Sequence, residues 1–369
     1  MPAHALTSDV CRDWLRQNLR QGLEQQPQSP HTGWFRFGDA AVELVSDDAQ
    51  LLAEMEAFYG DCACAEPDDA TTILRCTATV LRGSGLLSLR FDGGEFHSPL
   101  DIALGQYRFL KRQPFIEVAG PAKGWRVLVH AAAPNQLLIA SDGRHALINR
   151  DGAPPEFVLD CIVGVAQSAQ SGVMFLHAAS VGIDGCGALI LGASQAGKST
   201  NALALALRGH AFLGDDVAAV RQASRTLLPF PKSAGLRAGP LADLLAERIQ
   251  ACPHVRAPGR NGVLRTVVRA SALLPGSKSG PLPLRYAFLM DRATEGGRIT
   301  AFKPGHGDLT RLRGMVIMDT APTWGLSPGR DLLQLLGVLN LLAGLRCFLV
   351  DRGSTQETAQ MMENAMRAR

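Results

Sequence analysis

The sequence predicts an α/β fold, a P-loop nucleotide-binding domain preceded by a β-rich α+β domain. The first observation is the apolar stretch 188–191, which is followed by a glycine-rich loop and then by the Ala/Leu-rich stretch 201–207. The second is a short apolar stretch that ends in two adjacent acids, Asp215 and Asp216. A strand, a loop, a helix and a further strand in this order are typical of βα units.

Residues 1–153 are predicted to form the β-rich domain, which binds a substrate or a partner. Short alternating stretches follow one another there, separated by Gly, Pro and Asp turns. The clearest hairpin has Asp142-Gly143 at its turn, because this pair accepts the positive φ angles of a tight turn. An amphipathic helix is predicted first, over residues 9–23. The predicted strands are 34–37, 71–82, 86–91, 125–130 and 136–140, and the arms of the hairpin are 137–141 and 145–149.

Residues 154–369 are predicted to form the nucleotide domain, which begins with a helix over 154–170. Residues 174–183 and 187–191 are predicted to pair as a hairpin that leads into the glycine-rich loop. Residues 251–280 are rich in Pro, Gly, Arg and Lys, which predicts a mobile, irregular excursion. The other predicted strands are 210–214, 286–290 and 347–350, and the other helices are 201–207, 332–345 and 356–366.

The composition limits the expected classes of binding partner and the expected cellular location of the protein. The chain has 369 residues, of which 37 are Lys or Arg and 34 are Asp or Glu, so its formal net charge is +3. A charge this small does not predict nucleic acid as a partner. The eight cysteines are scattered and are expected to be reduced, and Cys62-Ala63-Cys64 lacks a second Cys/His pair for zinc. With no leader-like N-terminus and no run of about 18 apolar residues, we expect a cytoplasmic protein without a membrane partner.

Residues 192–199 have the spacing of a phosphate-binding loop. Its glycines let backbone amides converge on phosphate oxygens, and the following helix start adds partial positive charge. Lys198 is expected to reach the β- and γ-phosphates as a catalytic cation, and Ser199 to bind Mg²⁺, so the predicted cofactors are ATP or GTP with Mg²⁺. The candidate nucleotide-binding residues are Gly192, Ala193, Ser194, Gln195, Ala196, Gly197, Lys198, Ser199 and Thr200.

Asp215 and Asp216 are the candidate catalytic and metal-binding acids. A strand, a crossover helix and a parallel strand bring both strand ends to one edge of the sheet, so this pair is expected beside the phosphates. One carboxylate is needed there for Mg²⁺ and another to accept the proton of an attacking hydroxyl. Two adjacent acids supply both roles.

His177 is a further candidate, because counting outward from the Asp184-Gly185 turn brings it opposite Gly192. A histidine there is placed to hydrogen-bond the loop, a carboxylate or the transferring phosphate. A core side chain with satisfied hydrogen bonds is the alternative interpretation, and the sequence leaves both open.

Lys232 and Arg237 are the candidate cations outside the loop. They lie in the segment 229–237, whose prolines stiffen it, and their spacing suits an approach to the phosphate-binding edge. Either cation would then stabilise the transition state. Solvent exposure, the usual fate of Lys and Arg, is the alternative.

The stretch from His177 to Val220 resembles the catalytic domain of HPr kinase/phosphorylase in His177-Ala178, the hairpin, the loop, Arg208-Gly209-His210 and Asp215-Asp216. The resemblance implies a phosphoenolpyruvate-carboxykinase-like nucleotide fold. By the same resemblance, Asp215 is the general base, Asp216 assists the metal together with Ser199, and His177 lies in the site.

The chain departs from bacterial HPr kinases after the acidic pair, where Leu236-Arg237-Ala238-Gly239 is the nearest counterpart of their Glu-Ile-Arg-Gly-Leu-Gly-like segment. HPr itself is therefore not the expected substrate. Pro231-Lys232-Ser233 and the β-rich half are more similar to the subgroup called HPr kinase-related kinase A, which is associated with small peptide chaperones and modified peptides. This resemblance implies a peptide or small-protein substrate, with a peptide chaperone as a further candidate partner. HPr kinases form rings of six, so a homo-oligomer is a candidate assembly.

Three functions follow from the sequence and the resemblance. The first hypothesis is a Mg²⁺-dependent kinase that transfers the terminal phosphate of ATP to a serine in a peptide or small protein. The second is a nucleotide-sensing module that changes shape with ATP and transfers nothing. The third is a kinase for a small molecule such as a free amino acid.

Overall fold

In the computed structural model, the chain divides into two compact units. The structure describes residues 30–68, 73–81, 115–118, 126–130, 138–141, 143–149, 155–193, 195–258, 263–293, 296–308, 312 and 328–368. The first unit consists of the described parts of Met1–Met55 and Cys64–Gln170, and the second of those of Glu56–Ala63, Ser171–Met318 and Leu326–Arg369. The domain boundary predicted between residues 153 and 154 stays a prediction.

The described secondary structure consists of twenty strands and eight α-helices. The strands are β1 (His31–Phe37), β2 (Ala40–Ser46), β3 (Ala63–Cys64), β4 (Leu74–Leu81), β5 (Phe115–Val118), β6 (Arg126–His130), β7 (Leu138–Ser141), β8 (His145–Asn149), β9 (Val173–Leu176), β10 (Ala179–Ile183), β11 (Cys186–Leu191), β12 (Ala211–Gly214), β13 (Ala218–Arg221), β14 (Thr226–Leu228), β15 (Ala234–Leu236), β16 (His254–Pro258), β17 (Leu264–Val268), β18 (Leu282–Ala293), β19 (Arg298–Phe302) and β20 (Arg346–Arg352). The helices are α1 (Ala49–Tyr59), α2 (Pro155–Ala169), α3 (Lys198–Leu207), α4 (Pro240–Leu244), α5 (Ala246–Gln250), α6 (Ala270–Leu273), α7 (Pro328–Ala343) and α8 (Thr355–Arg367). Short 3-10 turns cover Gly60–Cys62 and His306–Asp308. The predicted helix 9–23 and strand 86–91 lie outside the described residues.

The first unit contains an eight-stranded sheet in the order β3-β1-β2-β4-β8-β7-β6-β5. Strands β2, β4 and β8 pair in parallel, whereas β5 to β8 form an antiparallel meander. Helix α2 packs against β2, β4 and β8 with its apolar face buried. The predicted Asp-Gly hairpin is confirmed, because Ser141 pairs with Ala146 across the turn.

The second unit is built on a nine-stranded mixed sheet in which β11, β18 and β20 run parallel. Ala188 and Ile190 face a buried core shared with α3 and α8, whereas Leu189 and Leu191 face a second core shared with α7. Because both faces of the sheet are covered, strand β11 is apolar throughout rather than alternating. The α/β fold predicted from the sequence is therefore confirmed for this unit.

The predicted strand 174–183 is wrong as one continuous element. It consists of two strands, because β9 pairs with β13 whereas β10 pairs with β11 and β12. The break lies at His177-Ala178, where the Ala178 N–H donates to the Leu176 carbonyl at 2.9 Å. The predicted hairpin itself is confirmed by the pair Ile183 and Cys186.

Strand β12 runs in the same direction as β11, as predicted from the crossover. The two strands do not pair directly, because β10 lies between them and is antiparallel to both. The ends of β11 and β12 therefore meet at one edge of the sheet, which is where the glycine-rich loop and the acid pair follow.

The irregular excursion predicted over residues 251–280 is wrong in its described part. Strands β15, β17 and β16 form a separate antiparallel sheet in that order, and helix α6 follows it. Val267 and Val268 are buried, so this segment has an apolar anchor that its many Pro, Gly and Arg residues obscure in the sequence. Across the described ranges, no helix has both the length and the apolarity to cross a membrane.

Candidate functional site

The glycine-rich loop joins the end of β11 to the start of α3. Helix α3 has Gly197 at its N-cap with φ 85°, and Gln195 also has a positive φ of 65°. Glycine takes this backbone region at little steric cost, so Gly197 lets the chain turn directly into the helix. The free amides of the helix start and the helix dipole favour an anion at this position. Ser194 lies outside the described residues.

Lys198 is buried and its ammonium group donates to two loop carbonyls. The Nζ atom lies 2.9 Å from the oxygen of Gly192 and 3.1 Å from that of Ala193. Burial lowers the pKa of Lys198, while the charges of Asp215 and Asp216 act in the opposite direction. The cation is therefore held at the loop by backbone carbonyls, and its contact with phosphate stays a prediction.

Ser199 joins the loop to the acid pair. Its hydroxyl donates to Asp215 Oδ1 at 2.8 Å, although the two residues are 16 positions apart in the sequence. Thr200, the next loop residue, lines the same cavity, which has a volume of about 460 Å³. The crossover thus brings together a hydroxyl and a carboxylate, two oxygen donors of the kind that Mg²⁺ prefers.

Asp215 is a buried carboxyl with a strongly altered pKa. Burial and the neighbouring charge of Asp216 raise the pKa of Asp215 to about 6, although the Ser199 hydrogen bond and Lys232 act against this rise. A carboxyl with a pKa near the working pH is suited to accept a proton and to release it again. The site therefore contains a candidate general base at the predicted position.

This raised pKa gives the metal-free protein a pH-dependent stability. Because the folded pKa of Asp215 lies above its ordinary value of 3.8, the folded state binds a proton more tightly than the unfolded state. Stability should therefore fall as the pH rises from about 4 through about 6, by about 3 kcal/mol for this group. We expect Asp215→Asn to remove that fall, as measured by urea unfolding at pH 4 to 8.

Asp184→Asn is the control for this prediction, because Asp184 is an exposed turn residue. Its carboxylate pairs with Arg367 at 3.1 Å on the surface, so the variant should lose a small amount of stability and keep the fall in stability that the wild type shows between pH 4 and 6. A constant difference between wild type and Asp215→Asn over the same range would contradict the shifted pKa of Asp215.

Asp216 lies at the centre of a second group of contacts. Its φ is 62°, and its carboxylate accepts a hydrogen bond from Lys232 Nζ at 3.1 Å. His177 Nδ1 lies 3.1 Å from the Asp216 carbonyl, to which it donates. Since His177 sits in the break between β9 and β10, its ring contacts the acid pair rather than the sheet interior. The structure therefore brings both candidates, His177 and Lys232, to Asp216.

Gly214 precedes the acids and was not among the residues singled out in the sequence. A Cβ atom there would lie 2.6 Å from the Phe230 carbonyl oxygen and 3.0 Å from that of Val217. Backbone atoms cannot move away as a flexible side chain does. Only glycine therefore allows this close approach, which sets the position of the acid pair.

Gly214→Ala is accordingly expected to destabilise the protein by about 2 kcal/mol, as a close-packed site accepts no added methyl group. Urea unfolding at constant pH measures the loss. Gly280→Ala is the matched control, since nothing lies within 4 Å of a Cβ at that position. Equal unfolding midpoints for the two variants would contradict the assignment of Gly214 as a packing constraint.

Residues 56–63 also contribute to this unit, which sequence reasoning missed. The Ser233 N–H donates to the Phe58 carbonyl at 2.8 Å, and its hydroxyl donates to the Ala57 carbonyl at 2.7 Å. Lys232 Nζ lies 5.8 Å from the centre of the Tyr59 ring. These contacts hold the Lys232 segment against helix α1, and no local sequence signal indicates them.

The cavity brings together most of the predicted residues. Gln195 to Thr200, His177, both acids, Lys232 and Arg237 line it, and Arg237 is exposed there. Arg265 and Phe58 also line it, and neither was predicted. Within the described residues, no cluster of three or more His, Cys, Asp and Glu could hold a metal ion. A metal ion in this cavity would need the Ser199 hydroxyl and oxygen atoms of a bound molecule in addition to the carboxylates.

The fold and the site define an α/β protein with a candidate anion-binding loop beside a pair of acids. Residues 169–233 match the family described as HPr Serine kinase C-terminal domain. The segment that contains the loop and the acids is thus HPr kinase-like, which confirms the resemblance found in the sequence.

One relative matched by sequence carries the name of this family. The HPr kinase/phosphorylase of Shouchella clausii (strain KSM-K16) is 35% identical over 100 residues, which are 27% of this chain and 32% of that protein. The match thus spans about a third of the relative's length. A solved structure, the Hpr(Ser) kinase/phosphatase from Coxiella burnetii, is similar at 15% identity and a TM-score of 0.27, over 53% of this chain and 94% of that chain.

Proposed function

We propose that the protein is a Mg²⁺-dependent kinase that transfers the terminal phosphate of ATP to a serine hydroxyl of a peptide or small protein. The observation that carries the proposal is the hydrogen bond between Ser199 and Asp215, at 2.8 Å. It joins the glycine-rich loop to a buried carboxyl whose pKa is raised to about 6. A phosphate site and a candidate base therefore share one cavity.

The residues of the loop fit a nucleotide triphosphate. The N-terminus of α3 and the left-handed Gly197 present backbone amides, which bind phosphate oxygens. Lys198 supplies a cation that is already held at the loop by two carbonyls. With phosphate bound, its ammonium group would donate to the β- and γ-oxygens instead.

Asp215 accepts the proton in the proposed reaction. The acceptor oxygen forms a bond to the γ-phosphorus as the bond from that phosphorus to the ADP oxygen breaks, and the hydroxyl proton passes to Asp215. Burial of Asp215 keeps water away from this carboxyl and raises its affinity for a proton. Lys198 and Lys232 are the cations that would balance charge developing on the transferring group.

Ser199 and Asp216 are the proposed ligands of Mg²⁺. When bound, the metal would neutralise negative charge on the phosphate oxygens. The oxygen donors of these side chains fit that ion. Lys232 pairs with Asp216 at 3.1 Å, so metal binding would exchange one cation partner of this carboxylate for another.

The proposed acceptor class rests on the matched family and on the positions at which this chain departs from bacterial HPr kinases. HPr kinase-like character is matched over residues 169–233, and the Pro231-Lys232-Ser233 segment is similar to HPr kinase-related kinase A. That subgroup supports a role in a peptide-modification system, with a peptide chaperone as a candidate partner and a homo-oligomer as a candidate assembly.

The proposal is tested by incubating the full chain with Mg²⁺, labelled ATP and peptides or small proteins encoded beside its gene. Intact-mass analysis should show the gain of one phosphate on a serine, dependent on Mg²⁺. Binding of ATP without transfer to any acceptor would contradict a kinase and favour the nucleotide-sensing module. Transfer to free serine alone would identify a small-molecule kinase instead.

A further inference from the structure

The small sheet of β15, β17 and β16 has two different faces. Ala234, Leu236 and Val268 are buried in the core, and they pair as Ala234 with Val268 and Leu236 with Thr266. Because side chains alternate along a strand, the intervening residues lie on the opposite face. That face carries Gly235, Arg237, Arg265 and Val267, and all four line the cavity that contains Asp215. One side of the sheet is therefore a wall of the candidate active site.

Arg265 lies along this wall rather than projecting away from it. A Cβ atom on Gly235 would lie 3.1 Å from Arg265 Cδ and 3.3 Å from its Nη1. The guanidinium carbon lies 5.8 Å from the centre of the Phe58 ring. Glycine at position 235 thus leaves the space that the arginine side chain occupies, and the aromatic ring limits where the guanidinium can move.

Arg237 and Arg265 belong to neighbouring segments of this wall. Arg237 follows directly after β15, which ends at Leu236, and Arg265 lies in β17, the strand that pairs with β15. Both residues line the same cavity. A bound anion would offset the repulsion between two like charges that line one cavity.

The charge of the cavity also favours an anion. Among its described lining residues, the cations are Lys198, Lys232, Arg237 and Arg265, and the acids are Asp215 and Asp216. The cations therefore outnumber the acids in this cavity. Two of the four, Arg237 and Arg265, belong to the wall that β15 and β17 form.

We propose that Arg237 and Arg265 form a carboxylate-binding subsite for the acceptor, so that the phosphorylated hydroxyl belongs to an acidic substrate. The proposal rests on the proposed kinase function and specifies its substrate class. Guanidinium groups bind carboxylates in a planar, two-point geometry that lysine does not offer. The carboxylate belongs either to an acidic side chain beside a serine in a peptide or to a free amino acid.

The experiment measures binding rather than transfer. The full chain is saturated with Mg²⁺ and a non-hydrolysable ATP analogue, and fluorescence anisotropy follows two labelled peptides, Gly-Asp-Ser-Asp-Gly and Gly-Asn-Ser-Asn-Gly. We expect the acidic peptide to bind at least about tenfold more tightly, as two charge-assisted contacts would give. Arg237→Met and Arg265→Met should each remove most of this preference.

Arg256→Met is the matched control. Arg256 lies in the same sheet and is exposed, but it pairs with Thr266 and so lies on the face away from the cavity. Arg256→Met removes one positive charge, as the other two variants do, and should leave the preference for the acidic peptide unchanged. Competition by L-serine and by L-serinamide distinguishes the two sources of carboxylate, because a free amino acid substrate competes only when its carboxylate is intact.

Equal affinity for the two peptides, or no binding of either peptide or of L-serine, would overturn the proposal. Loss of affinity for the ATP analogue in the arginine variants would also overturn it, by assigning them to the nucleotide. A different result would contradict the proposed function alone. If the acidic peptide binds as expected but the wild type with ATP never phosphorylates it, the protein is not a kinase for that peptide, whereas the carboxylate-binding subsite stands.

Discussion

Replacing Asp215 with Asn is expected to reduce phosphate transfer by roughly 10³-fold, the usual contribution of a positioned general base. Affinity for the nucleotide should stay within about twofold, because the loop and Lys198 provide the phosphate contacts. The side chain of Asn has the same shape and can still accept from Ser199, but it cannot take up the proton of the hydroxyl. Initial rates of transfer and calorimetric titration with MgATP measure the two effects.

Asp184→Asn is again the control, and it should transfer phosphate as the wild type does. Asp216→Asn supplies the contrast, since it should raise the Mg²⁺ concentration needed for half-maximal transfer. Ser199, a proposed metal ligand, contacts Asp215 rather than Asp216. If Asp215→Asn changed the Mg²⁺ requirement and Asp216→Asn did not, the two acids would have exchanged roles.

Replacing Lys198 with Met is expected to weaken both nucleotide binding and transfer. Its ammonium group would make two charged hydrogen bonds to phosphate oxygens, so their loss should lower the affinity for MgATP roughly 100-fold. Transfer at saturating nucleotide should also fall, because the same cation balances charge in the transition state. Titration calorimetry separates the loss of affinity from the loss of rate.

Lys303→Met is the matched control for this variant, because Lys303 is an exposed lysine of the same unit that does not line the cavity. Its nucleotide affinity should equal that of the wild type. An unchanged affinity in Lys198→Met would show that the glycine-rich loop does not bind phosphate through its lysine, and would contradict the proposed site.

Local signals explain the parts of the fold that the sequence predicted. Asp184 and Gly185 both have positive φ angles, which few other residue pairs accept, and Gly143 has a φ of 96° at the other predicted hairpin turn. The strand β11, the glycine-rich loop and helix α3 are contiguous, so one short segment contains the whole pattern. The position of Asp215 and Asp216 beside the loop is also predictable, because the crossover connection brings the end of β12 to the same edge of the sheet as the end of β11.

Non-local pairing decides the parts that the sequence missed. The stretch 173–183 is apolar enough for one strand, but its two halves pair with different neighbours, which places His177 in the break. The strands 254–258 and 264–268 carry arginines, yet they pair in one sheet because Val268 reaches a core built from distant strands and helices. No window of sequence contains those partners.

The sequence by itself determined the glycine-rich loop, the acid pair and the α/β order around them, because each depends on spacing within one segment. The tertiary structure alone decided which groups surround that pair. Ser199 meets Asp215, Lys232 meets Asp216, and residues 56–63 and Arg265 reach the cavity through contacts between segments far apart in the chain. Burial then sets the pKa of Asp215, because desolvation depends on everything packed around a carboxyl and not on its neighbours in sequence.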